Sequence, residues 1–90
     1  MIRVSVNSQD IQSGVRKSIC NCPIARALRR RFPNSSVIVD GAWGMHIGDI
    51  TYTAVYATGR VNGFIEKFDR GDNVKPIKFC LYKKRKKNGK

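Results

Sequence analysis

"GRVNGFIEKFDRGDNVKPIKFCLY", residues 59–82, changes its hydrophobic period part-way along. Val61, Phe64, Ile65 and Phe68 recur at i, i+3, i+4 and i+7, which places them on one face of an α-helix. Gly71 follows as a C′ residue free to take the left-handed conformation that ends a helix. From Ile77 the period drops to two: Ile77, Phe79 and Leu81 share one face, and Lys78, Cys80 and Tyr82 the other. Pro76 has no N–H to give a ladder, so the strand starts there or lies at a sheet edge. A helix that runs straight into a half-buried strand points to an α+β fold.

The same two periods organise the rest of the chain. Ile2, Val4 and Val6 alternate with Arg3, Ser5 and Asn7, the pattern of a first strand. "SQDIQSG" (8–14) carries Asn7 or Ser8 as N-cap, Asp10 in the first turn and Gly14 as a stop, which makes one or two helical turns. In "NCPIARALRRRFP" (21–33), Pro23 fits the first helical position; Asn21 is the better cap by residue type and Cys22 by place. Ile24, Ala27 and Leu28 form the buried stripe, and Pro33 ends the element. "VIVD" (37–40) is a β-branched strand, and "GAWG" (41–44) is the hairpin connection to "MHIGDITYTAVYA" (45–57), with a bulge near Gly48. The expected order is β-α-α-β-β-α-β: one small α+β domain, its antiparallel or mixed sheet covered by helices on one face.

Three stretches, "SQDIQSG" (8–14), "CPIARALRR" (22–30) and "FIEKFDRGDNVKPIKFCL" (64–81), resemble in sequence and order a group of small, uncharacterised bacteriophage and prophage proteins. The resemblance implies a phage or bacterial origin and a compact α+β domain. It brings no activity, cofactor or site residue. The lysine-rich end of this chain departs from the group.

Ninety residues suffice for one modest core and exclude a second domain. Hydrophobic residues make up 41%, with 8 Gly and 3 Pro, the balance of a folded chain. Charge is the outlier. Eighteen Lys and Arg against six Asp and Glu give +12, and "KKRKKNGK" (83–90) supplies half of that excess, so a compact domain over 1–82 and a flexible basic tail over 83–90 are expected. Such imbalance favours an anionic partner. The first ten residues hold no continuous apolar run for a signal peptide, and nothing approaches a membrane span. With an odd number of cysteines, the composition points to a reducing cytoplasm, that of a bacterial host if the origin is a phage.

Two basic features are candidate contacts for RNA or DNA. The first is the tail, from which Lys83, Lys84, Arg85, Lys86 and Lys87 can neutralise phosphates and release counterions. The second is the helix cluster Arg26, Arg29, Arg30 and Arg31. No Asp or Glu occurs between Asp10 and Asp40, so the cluster is either a phosphate-contact patch or a salt-bridged or solvated helix face. Trp43, in a Gly-flanked turn, is the candidate for base stacking, while Tyr52 and Tyr56, placed on one strand face, read as part of the core or its cover.

Catalysis and metal binding find little support. Cys20, Cys22, Cys80 and His46 offer four zinc ligands in number, but Cys-x-Cys is not the usual spacing and the other two come from separate strands; free thiols explain them. With one His, scattered acids and no nucleophile motif, the chain reads as neither an enzyme nor a cofactor protein. For Asp69 and Asp72 in "FDRGD", a helix end closed by Arg70 is the simpler account. Three functional classes remain: a basic nucleic-acid-binding protein, a phage accessory or anti-defence factor that docks an acidic host protein, and a protein that sequesters a small anionic nucleotide.

Overall fold

The structure, a computed structural model, describes residues 1–84. The elements follow the order β1 (Ile2–Val6), α1 (Ser8–Ser13), α2 (Pro23–Arg31), β2 (Val37–Asp40), β3 (Gly44–Ile47), β4 (Ile50–Thr53), a 3₁₀ turn (Val55–Ala57), α3 (Thr58–Arg70) and β5 (Ile77–Lys83). The strands form one antiparallel sheet in the order β1-β5-β4-β3-β2. The α+β class, the helices and the strand alternation stand as read from the sequence.

One segment divides further than expected. Instead of a bulge near Gly48, Gly48 and Asp49 make a two-residue hairpin turn, with Ile47 facing Ile50 across it. Gly48 has φ +60°, and glycine first is what a type II′ turn requires. "MHIGDITYT" is therefore two strands rather than one, and Tyr56 leaves the sheet altogether for the 3₁₀ turn.

The core follows the predicted faces. Val4 and Val6 of β1, Phe79 and Leu81 of β5, Met45 and Ile47 of β3, and Val37 and Val39 of β2 all point inward. They meet Ile24, Ala27 and Leu28 of α2 and Val61 and Phe64 of α3. Ile24 and Leu28 are fully buried, and each such side chain contributes about 1.5–3 kcal/mol by leaving water.

The caps explain the short helices. Asn7 and Asp10 form a reciprocal capping box on α1: the Asn7 side chain accepts from the Asp10 N–H at 2.9 Å, and the Asp10 carboxylate accepts from the Asn7 N–H at 3.0 Å. At α2 the cap is Cys22, whose sulfur accepts from the Ala25 N–H at 3.4 Å. Gly71 closes α3 with φ +88°, while the Asp72 N–H reaches back to the Lys67 carbonyl at 2.9 Å. Close packing fixes another glycine: a Cβ on Gly14 would stand 2.7 Å from the Pro23 ring, so α1 and α2 meet here only because residue 14 has no side chain.

The sheet curls at β5. Ile77–Leu81 pairs with β1, whereas only Tyr82 and Lys83 pair with β4. Along most of its length, then, one edge of β5 faces α3 and the 3₁₀ turn instead of a strand. Arg60 of α3 satisfies part of that edge, its Nη1 donating to the Lys78 carbonyl oxygen at 2.8 Å. Because β5 runs to Lys83 and the Lys84 N–H donates to the Thr51 carbonyl at 2.9 Å, the ordered fold takes in the first two lysines of the basic segment. Arg85, Lys86 and Lys87, with the rest of the expected tail, lie outside the described residues. Among the described residues no helix is long and apolar enough to cross a membrane.

Candidate nucleic-acid interface

The α2 arginines are largely engaged within the chain. Arg30 grips Asp10 with both terminal nitrogens, at 2.7 and 2.9 Å, and also donates to the Ser5 carbonyl at 3.0 Å. Asp10 is 1% exposed and Arg30 half-exposed. Burial pushes the Asp10 pKa up, but the Arg30 hydrogen bonds, the Asn7 N–H and the charges of Arg30 and Arg26 outweigh it and leave the carboxyl below its ordinary value. The absence of acids between Asp10 and Asp40 concealed this pairing, because the partner lies on the neighbouring helix. Arg29 donates to the Cys20 carbonyl, tying down the loop before α2. Arg31 lies over the Phe32 ring, 5.3 Å from its centroid, and is exposed. Arg26 is half-buried, its Nε without a hydrogen-bond partner among the described residues.

Trp43 is 56% exposed in the turn between β2 and β3. Its neighbour Ala42 pins that turn, donating to the Asn62 side chain at 2.9 Å and accepting from the Ala54 N–H at 2.8 Å. Lys83 and Lys84 are exposed at the end of β5. None of these lysines, the α2 arginines or Trp43 lines either of two adjoining cavities beside β5.

Those cavities adjoin along β5. One, of about 490 Å³, lies between the outward side chains of β1 and β5 and the 3₁₀ turn; the other, of about 940 Å³, runs between α3 and the adjoining ends of β1 and β5. They share Ser5, Arg60 and Lys78, so they make one continuous groove. Five cations line it: Arg3, Arg60, Lys67, Lys75 and Lys78, and no Asp or Glu does. None of the five is in an ion pair among the described residues, where the acids that pair take Arg30 and Arg70 instead.

Aromatic groups close one end of the groove. Tyr56 is 83% exposed and meets Tyr82 edge to face, with ring centroids 5.1 Å apart. Both line the smaller cavity. Sequence reading missed this site because its cations are scattered through β1, α3, β5 and the loop before β5. One signal was present: Arg60 and Lys67, seven residues apart, fall on one face of the helix that the hydrophobic spacing had already defined.

Among the described residues no three His, Cys, Asp or Glu side chains group as metal ligands. Cys22 is buried at its cap, where desolvation pushes the thiol pKa up despite backbone hydrogen bonds. His46 is bonded to Thr51 at 3.0 Å across β3 and β4. Of the "FDRGD" acids, Asp72 pairs with Arg70 at 2.8 Å, while Asp69 accepts from the backbone N–H of Lys17 at 2.8 Å. No family model, curated protein or solved structure matches this chain.

Proposed function

We propose that this chain is a small, non-enzymatic, phage-encoded protein that acts in the bacterial cytoplasm by holding RNA or DNA through its phosphate backbone. The observation that carries the reading is uncompensated charge. The described residues hold 14 of the chain's 18 Lys and Arg, and among them only Arg30 and Arg70 are paired with acids. Maintaining that many unpaired cations on one small domain costs self-repulsion, which a polyanion relieves. Each phosphate contact also releases counterions, so binding is strong at low salt and weakly sequence-specific.

Lys83 and Lys84 lead from the folded domain towards Arg85, Lys86 and Lys87, and Arg31 adds an exposed guanidinium on α2. The test is fluorescence anisotropy of labelled mixed-sequence RNA and DNA against the full chain and against a chain ending at Lys84, over a salt series. Affinity that falls linearly on a log–log salt plot, with part of it surviving truncation, supports the reading. Absence of binding to both nucleic acids at low salt refutes it and turns attention to an acidic protein partner.

A further inference from the structure

We infer that the groove between α3 and β5 is a binding site for single-stranded nucleic acid, with phosphates held by its lysines and arginines and an unpaired base stacked on Tyr56. The inference rests on the nucleic-acid reading above and adds to it a place and a class of strand.

Charge is the first argument. Arg3, Arg60, Lys67, Lys75 and Lys78 converge on one concavity from β1, α3, β5 and the loop before β5, with no carboxylate among the lining residues to neutralise them. Along β5 they follow a line: Lys75 lies just before its start, Lys78 near the start and Tyr82 near the end, and Lys84, on the same side of the chain, continues past it. At about 3.3 Å per strand residue, that line spans several nucleotides of an extended backbone.

The second argument is the aromatic end. A tyrosine left 83% exposed, supported from the side by Tyr82 at 5.1 Å, keeps a ring face free. In a duplex the bases are already stacked on one another, so only an unpaired base can use such a face.

A third feature lies on the helix wall. Gly59 and Gly63 both line the larger cavity, and a Cβ added to either would meet nothing within 4 Å. Packing therefore does not require glycine there, although glycine weakens a helix. Bare backbone at these positions leaves room for a chain to lie close against α3.

The test uses the full chain and short labelled oligo(U), oligo(dT) and a duplex of equal length, at about 150 mM salt. Single strands are expected to bind more tightly than the duplex. Tyr56→Ala should lower single-strand affinity about 5- to 150-fold, the range for one lost base–aromatic stack, and leave duplex affinity unchanged. The double variant Lys67→Glu/Lys75→Glu, at two exposed positions, should weaken single-strand binding with the fold intact by circular dichroism. Cys80, which lines the smaller cavity, should be protected from iodoacetamide by bound oligo(U), whereas Cys20, outside the groove, should not.

Preference for duplex, or single-strand binding indifferent to both variants and giving Cys80 no protection, overturns the groove assignment and leaves the broader nucleic-acid reading in place. Failure of the unmodified chain to bind any of the three probes overturns both. The ratio of oligo(U) to oligo(dT) affinity says which strand chemistry the groove prefers.

Discussion

Arg30→Met isolates the pairing that joins α1 to α2. Methionine keeps much of the aliphatic stem and removes the charge, leaving Asp10, at 1% exposure, without its cation. Breaking a buried pair from one side costs about 3–5 kcal/mol, because the remaining charge is neither solvated nor paired. Arg30 is half-exposed, so part of its own interaction is already screened by water and the lower end of that range, about 3 kcal/mol, is expected. Asp10→Ala should cost less, about 2 kcal/mol, since the arginine it abandons can be hydrated, although the capping box goes as well. The double variant should cost less than the two singles added together.

The pH dependence gives the sharper test. In the native chain the Asp10 pKa is depressed below 3.8, so its contribution is fully present above that pH and lost as pH falls through the folded value. In Arg30→Met burial still pushes this pKa up and only the Asn7 N–H and the Arg26 charge oppose it, so the folded-state pKa of Asp10 is higher than in the native chain and the stabilisation tied to its depression is removed at its main source. The stability difference between the native chain and Arg30→Met must therefore grow as pH rises across the acid range, starting below 3.8, and level off once the carboxyl is ionised in both folded chains. Urea denaturation followed by circular dichroism across that range measures it. A difference below about 1 kcal/mol at neutral pH, or one independent of pH, refutes the argument.

Further outcomes follow from single positions. Gly14→Ala forces a Cβ to 2.7 Å from the Pro23 ring and should destabilise by about 1–3 kcal/mol, read as a Tm lowered by about 4–8 °C for each kcal/mol. Gly63→Ala meets open space and should raise stability by up to about 1 kcal/mol while weakening oligo(U) binding; a gain in stability with unchanged affinity would remove the glycine argument for the groove. In alkylation followed by mass spectrometry at mildly alkaline pH, exposed Cys20 should react first and Cys22, buried with a raised pKa, last.

Most of the fold was legible because its core elements keep a clean period. The helix and strand at 59–82, the α1 cap, the Pro23 start and the Gly71 stop all follow from residue type and spacing. The β3–β4 hairpin was missed because Gly48–Asp49 interrupts the β-rich segment 45–57 by only two residues, and a turn there reads much like a bulge. The site was harder to read. A basic run such as "LRRR" is conspicuous in sequence, yet Asp10, some twenty residues earlier, claims Arg30, and Cys20 claims Arg29. The groove cations are separated in sequence and meet only because β5 pairs with β1 along one edge and leaves the other to α3. Long-range convergence of that kind leaves no local period for the sequence to show.

The most direct measurement of the central claim is the salt dependence of oligo(U) binding to the full chain and to the chain ending at Lys84. Single strands give a log–log slope of about −0.7 per phosphate neutralised, so the truncated chain should retain a slope of about −3.5 if the five groove cations all engage. The full chain should be steeper still. A truncated chain with no measurable affinity, or with a slope near zero, contradicts the account and confines any nucleic-acid binding to the basic segment after Lys84.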